Sequence, residues 1–371
     1  MKILYLANVR MPTEKAHGIQ IVKACESLSR EGVTVELLVP KRYTPITESP
    51  EQYYGIRAPF AIRRLAVPDV VRSFGRFGFL LQTLFFSLVA MRHIQKQKPD
   101  IIYGRDEHVL AIALLLGASR VMWESHDGSW NRAARYVARH AEKMVVVTSA
   151  QKEWYRMRGV RKEKIIALPN GIDVAAFAQA ESKEVARRRL GLPEDKMIAL
   201  YVGSFGGWKG TDTLFDAAAL LPEHVRIVVI GGTKEQCEIA AAKYPKIIFL
   251  GYLPYRELQN NLAAADMCIL PNTGQDPVSV SFTSPLKLLA YMASGRPVVA
   301  SDLPSVRELT GDTGALLVEA DNPEALASGI EKVANETALA ESLAKQALLR
   351  VQSFDWQARA KQLLAFIAPG R

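Results

Sequence analysis

Cysteine is scarce, with only Cys25, Cys237 and Cys268 in 371 residues. The three stand far apart in apolar surroundings. That excludes a disulfide framework or a thiolate metal cluster and predicts a reducing, cytoplasmic compartment. The six histidines show no metal-ligand spacing either. There is no low-complexity tract and no short repeat. Zinc-finger and RNA-recognition signatures are missing, and basic residues do not interleave with aromatics, so nucleic acid is not an expected partner. No basic-then-apolar leader opens the chain, so no signal peptide is expected. Met1 runs straight into the apolar segment Lys2–Leu6.

Apolar residues, in contrast, are plentiful. They make up 49% of the chain, enough for the two cores that its length suggests. The net charge of +9 is unevenly placed: residues 1–170 hold 27 Lys and Arg against 15 Asp and Glu, a net of +12, which leaves the rest at −3. A basic first half predicts an anionic ligand or surface on that side. Within it, residues 77–91, FGFLLQTLFFSLVAM, are almost wholly apolar. Arg63, Arg64, Arg72 and Arg76 precede them; Arg92, Lys96 and Lys98 follow. The run is short for a span of about 20 residues. It fits either a buried helix or a segment lying in the interface of an anionic membrane.

Strand and helix signals alternate along the chain, the pattern of βαβ units around parallel sheets. Lys2–Leu6, Val33–Val39, Ile101–Tyr103, Val121–Glu124 and Met144–Thr148 read as strands, with amphipathic helices such as Gly18–Arg30 between them. Residues 41–62 read as an irregular connection. The turn cluster Leu168–Asp173 ends this series. The alternation then restarts with Ile198–Val202, Arg226–Ile230, Ile247–Leu250, Met267–Leu270 and Pro297–Ala300. The expected class is α/β: two tandem Rossmann-like domains over residues 1–172 and 173–350. A helix within 351–371 is expected to pack back on the first domain.

In open parallel sheets ligands bind beyond the carboxyl ends of strands, so residues just after strands matter most. In the segment Thr283–Asp302, Ser284 reads as the N-cap of a helix and Pro285 as its first residue. Leu286 opens the core stripe, and Lys287 adds charge to a helix start that favours phosphate. After another strand, Gly203-Ser204-Phe-Gly-Gly-Trp-Lys209-Gly lacks the spacing of a P-loop. It reads either as a plain glycine-rich turn or as a close backbone approach to a ligand, with Lys209 on a phosphate. Tyr252 and Leu253 occupy a turn that could meet a nucleobase. In the first half, Arg10, Gly18, Gln20, Arg105 and His126 all follow strand ends or flank the first helix start.

These stretches together resemble the retaining glycosyltransferases of family four, which have the GT-B fold. AHGIQIVKACESLSREGVTVELL, ESHDGSW, LPNGIDVAAF, YVGSFGGWKGTDTL, FLGYLPYREL, AAADMCILPN and SPLKLLAYMASGRPVVASDLPSVREL occur in that family's order and cover most of the chain. The resemblance implies a nucleotide-sugar donor on the C-terminal domain and a glycan, lipid-linked or small-molecule acceptor on the N-terminal one. It implies Lys209 on the donor diphosphate, the 284–287 helix start on the diphosphate or sugar, and Tyr252-Leu253 beside the base. His126 is implied near the transferred sugar and Gly18 near the diphosphate. No metal or other cofactor is expected, and the chain has no Asp-x-Asp motif.

Two departures stand out. The family's pair of glutamates falls here on Phe282 and Ala290. The second normally bonds the ribose, a contact worth about 1–3 kcal/mol. Ser204 stands near the place of an arginine that often accompanies the lysine. The alternatives to an active transferase are a non-catalytic relative that binds a nucleotide sugar or a partner transferase, and a same-fold sugar-nucleotide epimerase.

Overall fold

The computed structural model describes residues 1–368, apart from the side chains of Arg72 and Arg76, so the part those two arginines were expected to play falls outside the described residues. The chain divides into two compact units. One is Met1–Pro169 together with the chain from Trp356 onward; the other is Asn170–Asp355. The turn 170–172 and residues 351–355 therefore sit with the second unit. A parallel bridge between Ile172 and Asp355, and a 2.9 Å bond from the Ile172 amide to the Phe354 carbonyl, tie these two segments together.

The first unit is built on seven parallel strands: β1 Lys2–Leu6, β2 Thr34–Pro40, β3 Ala61–Leu65, β4 Ile101–Gly104, β5 Val121–Ser125, β6 Lys143–Val146 and β7 Ile165–Ala167. Their order is β3-β2-β1-β4-β5-β6-β7. The inner strands are continuous apolar runs because helices cover both faces. The order reverses between β1 and β4, so the crevice beyond the ends of these strands is the natural ligand site. The helix Trp356–Ile367 packs on the helix Ala16–Arg30 of this unit.

The connection 41–62 is more regular than its sequence suggests. It holds a short helix, Pro50–Tyr54, whose Ser49 and Gln52 form a capping box and whose Gly55 ends it in the left-handed conformation. It then enters the edge strand β3. That strand, AIRRL, buries only Leu65, so it carries none of the apolar signal of an inner strand. The apolar run 77–91 lies in the helical span Val71–Gln97, which is kinked at Gly75, where the backbone is non-helical (φ 51°, ψ −123°), so the run belongs to the helix beyond the kink.

The second unit has six parallel strands: β8 Met197–Val202, β9 Val225–Ile230, β10 Ile248–Gly251, β11 Met267–Leu270, β12 Val298–Ser301 and β13 Leu316–Val318. The order β10-β9-β8-β11-β12-β13 reverses between β8 and β11. The glycine-rich turn leaves β8 at this point, and the helix Leu286–Ala293 lies between β11 and β12 in sequence.

Candidate functional site

In the second unit the site begins with Tyr201 near the end of β8. Lys287 Nζ donates to the Tyr201 hydroxyl at 3.1 Å and lies 4.2 Å from the centre of its ring. Tyr201 in turn donates to the Ser204 carbonyl at 3.1 Å. A side chain at Gly203 would put its Cβ 2.6 Å from the Tyr201 hydroxyl and 3.4 Å from Lys287 Nζ, so this arrangement requires glycine. Gly210 is required too: a Cβ there would sit 1.7 Å from the Pro271 carbonyl. The glycine-rich turn is thus set by close packing, and Lys209 rides on its single 3-10 turn, Gly207–Lys209.

Neither Lys209 nor Lys287 forms an ion pair among the described residues. Burial, and then repulsion from Lys209, pushes Lys287 down to about 7. Burial lowers Lys209 as well. Two ammonium groups share a partly buried place with no carboxylate to balance them, which is an arrangement that favours an anion.

Ser284 does not cap the helix. The helix runs over Leu286–Ala293 with Pro285 as its N-cap residue and no side-chain capping bond. The Ser284 hydroxyl accepts instead from the Asn170 amide at 3.0 Å, and Asn170 Nδ2 donates to the Ser284 carbonyl at 2.6 Å. Proline has no hydroxyl with which to cap, and the serine oxygen is taken by a residue far away in sequence. Asn170, in the turn Leu168–Asp173, is a site residue that sequence reasoning missed; so is Tyr291, whose hydroxyl accepts from the Val202 amide at 2.7 Å. Lys287 and Tyr291 lie one turn apart and both grip the end of β8. Ala290, between them, is fully buried in the core. Tyr252, exposed, and Leu253 occupy the turn after β10.

In the first unit a cavity of about 390 Å³ lies beyond β1, β4 and β5, lined by Asn8, His17, Gln20, Arg105, Glu124 and His126 among others. Its organising group is Glu124, wholly buried at the end of β5. Arg105 Nη2 donates to Glu124 at 3.1 Å, Arg359 Nη2 at 3.0 Å and His126 Nε2 at 2.7 Å; the Tyr103 hydroxyl bonds its other oxygen. Burial alone would raise this carboxyl, but Arg359 and the His126 hydrogen bond outweigh it and hold it below the usual range. Sequence reasoning missed Glu124 and Arg359; a glutamate inside an otherwise apolar strand was the available signal.

His126 is pushed down to about 4 by burial and then by Arg105. It is therefore neutral at pH 7. With Nε2–H on Glu124, its Nδ1 is left as an acceptor. His17 is lowered to about 4 by the same two causes. Gln20 Oε1 accepts from Arg105 Nη1 at 2.7 Å, so Gln20, Arg105 and His126 are brought together. Arg10 is not part of this network and pairs with Glu14.

Gly18 has a packing role. Its Cβ would stand 2.4 Å from the Tyr54 hydroxyl, and its amide already donates to the Lys15 carbonyl at 2.9 Å, so that N–H is not offered to a ligand. Asp106, Glu107 and His108 can bring ligand atoms within 4.8 Å of one another. However, Asp106 caps the following helix and Glu107 accepts from Asn131, so these acids already have structural partners.

Two family descriptions match this chain: "Glycosyltransferase Family 4" over residues 18–176 and "Glycosyl transferases group 1" over residues 196–336. The chain belongs to the family-four glycosyltransferases. Among relatives of this transferase, the teichuronic acid biosynthesis glycosyltransferase TuaC of Bacillus subtilis (strain 168) is 25% identical over 98% of this chain and 97% of its own length. A D-inositol 3-phosphate glycosyltransferase of Kineococcus radiotolerans is 29% identical over 62% of this chain and 57% of its own. Among solved structures, sucrose-phosphate synthase of Thermosynechococcus elongatus superposes with a TM-score of 0.79 at 21% identity, covering 98% of this chain and 97% of that one. Anabaena HepE, solved with UDP and glucose, superposes with a TM-score of 0.77 at 19% identity over the whole of both chains. These likenesses establish the GT-B fold for this glycosyltransferase.

Proposed function

We propose that this transferase moves a sugar from a nucleoside-diphosphate donor to a glycan, lipid-linked or small-molecule acceptor, with retention at the anomeric carbon and without a metal ion. The observation that carries the donor half is the pair of ammonium groups, Lys209 and Lys287, left without carboxylate partners at the strand-order reversal of the second unit. That HepE was solved with UDP and with UDP-glucose supports the same ligand class here. On this reading the bond from the anomeric carbon to the diphosphate oxygen breaks. The two lysines stabilise the charge that collects on the departing diphosphate. The acceptor oxygen bonds that carbon on the face being vacated, and its proton passes to the departing phosphate oxygen. No protein nucleophile is assigned.

The acceptor half rests on the cavity of the first unit. Neutral His126 offers Nδ1 to a sugar hydroxyl. Asn8 Oδ1 and Arg105 Nε are buried without a partner among the described residues, so each can bond an entering hydroxyl or anion. Calorimetric titration with UDP, ADP and GDP and their sugars, with magnesium and with chelator, tests the donor half. One nucleotide should bind equally well in both conditions, and Lys209→Ala should weaken it by roughly ten- to a hundredfold. No binding across the panel, or unchanged affinity in the variant, would overturn the assignment.

A further inference from the structure

The helix within Val71–Gln97 is apolar on two sides. Its buried side holds Phe86 and Ala90 but also polar residues: Gln82, Thr83 and Ser87 are essentially inaccessible to water. The two hydroxyls are satisfied only by turning back onto their own helix, each on a carbonyl 2.7 Å away, and by Asn8, which donates to Thr83 at 2.9 Å. Beyond the kink at Gly75, the outward side carries Phe77, Leu80, Leu84, Phe85 and Leu88, with Phe77 64% and Leu80 57% exposed. The positions recur at three- and four-residue spacing, so they form one stripe. A helix facing water would carry polar residues on its outward side, and a contiguous exposed apolar stripe marks a contact with something apolar.

The charges around the stripe identify that contact. Between Arg57 and Lys98 there are eight Lys and Arg against a single acid, Asp69. Asp69 already binds the Tyr43 amide. The helix itself has no Asp or Glu. Arg92 and Lys96, both exposed, continue the outward stripe one and two turns beyond Leu88, and exposed Arg64 lies on β3, against which the helix packs. A second copy of the chain on this face would bring like charges together. An anionic lipid surface complements both the apolar stripe and its basic margin. Phe77–Gln97 is long and apolar enough to cross a bilayer, but 44% of its apolar window is buried inside the unit, where Phe86, Met91 and Ile94 join the core of the sheet. A helix anchored in that way lies on a bilayer and does not pass through it.

We infer that the outward face of Val71–Gln97 docks the first unit onto the surface of an anionic lipid bilayer. This inference is independent of the donor assignment. The test is co-sedimentation of the full chain with phosphatidylglycerol/phosphatidylcholine vesicles and with pure phosphatidylcholine vesicles, at low and at high salt. Binding should favour the anionic vesicles by about tenfold and weaken with salt. Leu80→Ser with Leu84→Ser should reduce it by about tenfold or more while leaving the thermal midpoint unchanged, since both side chains are exposed. Arg92→Glu with Lys96→Glu should reduce it separately, and this pair answers the question if the serine variant does not fold. Absence of vesicle binding, equal binding to neutral vesicles, or full binding by both variants would overturn the inference. So would a dimer that Leu80→Ser with Leu84→Ser converts to monomer without vesicle binding ever appearing, which would give the face to a second copy.

Discussion

Lys287 and Tyr201 hold each other at 3.1 Å, hydroxyl against ammonium, and no carboxylate joins them among the described residues. This pair sets the electrostatics of the second unit's site. Lys287 is a cation kept close to its neutral form by burial and by Lys209, and it is waiting for negative charge.

That has a measurable consequence. With Lys287 near 7, the lysine is largely neutral at pH 8 in the free protein. A bound diphosphate raises it, so binding takes up a fraction of a proton and affinity falls as pH rises from 7 towards 9. Calorimetry of UDP binding at pH 8 in two buffers of different ionisation enthalpy should show this uptake, and Lys287→Met should abolish it. Buffer-independent heats would mean that Lys287 is already charged in the free protein.

Ala290 lies three residues beyond Lys287 on the same helix. Its side chain is fully buried among Leu288, Leu289 and Met292, so a carboxylate there would lose its water and its bulk would displace packed neighbours. Ala290→Glu is therefore expected to cost about 3 kcal/mol of folding stability, read as a shift in the urea midpoint, and not to strengthen UDP binding. An unchanged midpoint with tighter UDP binding would show that this position opens to the ligand.

Ser284→Ala leaves the buried Asn170 amide without its acceptor. The expected loss of folding stability is about 1–3 kcal/mol, read as a shift in the urea midpoint. Ser284→Thr, which keeps the oxygen, should recover most of it. An unchanged midpoint in the alanine variant would show that water replaces the hydroxyl.

The buried Glu124 balances Arg105, Arg359 and His126. Glu124→Gln leaves two buried guanidinium groups with a neutral partner. A cost on the order of 3–5 kcal/mol is expected, the size seen when one side of a buried ion pair is removed. Because Arg359 belongs to the helix Trp356–Ile367, hydrogen exchange of that helix should rise with the loss.

His126 and His17 are both lowered to about 4 in the folded protein, from an ordinary value of 6.5. The unfolded chain therefore binds more protons than the folded one between pH 4 and 6.5. Stability rises with pH across that window and is lost as pH falls through it. The ring-proton shifts of both histidines in NMR should stay flat from pH 7 down to about 5. A midpoint near 6.5 for either would place that ring in water.

Much of this was legible in the sequence. Glycines after strands, apolar runs of five or six residues and helix periodicity together give two parallel-sheet units and put the chemistry at strand ends. Lys209, Arg105 and His126 are recognisable because each lies just after a strand, and Lys287 because it is a charge at the start of an otherwise apolar helix. The edge strand Ala61–Leu65 was not legible, because an edge needs no apolar alternation and AIRRL shows none.

The sequence by itself determined the units, the parallel order of alternating elements and the family, since all three follow from local periodicity and from motifs within short windows. Only the tertiary structure decided which partner each polar group takes. Ser284 has the chemistry of a helix cap, yet its oxygen goes to Asn170, 114 residues away in sequence. Gly18 could face a phosphate, yet it is fixed by Tyr54. The stripe on Val71–Gln97 could have been core, yet it faces outward. A hydrogen bond or an apolar contact forms with whichever group folding brings within reach, and that proximity is set by the packing of distant segments.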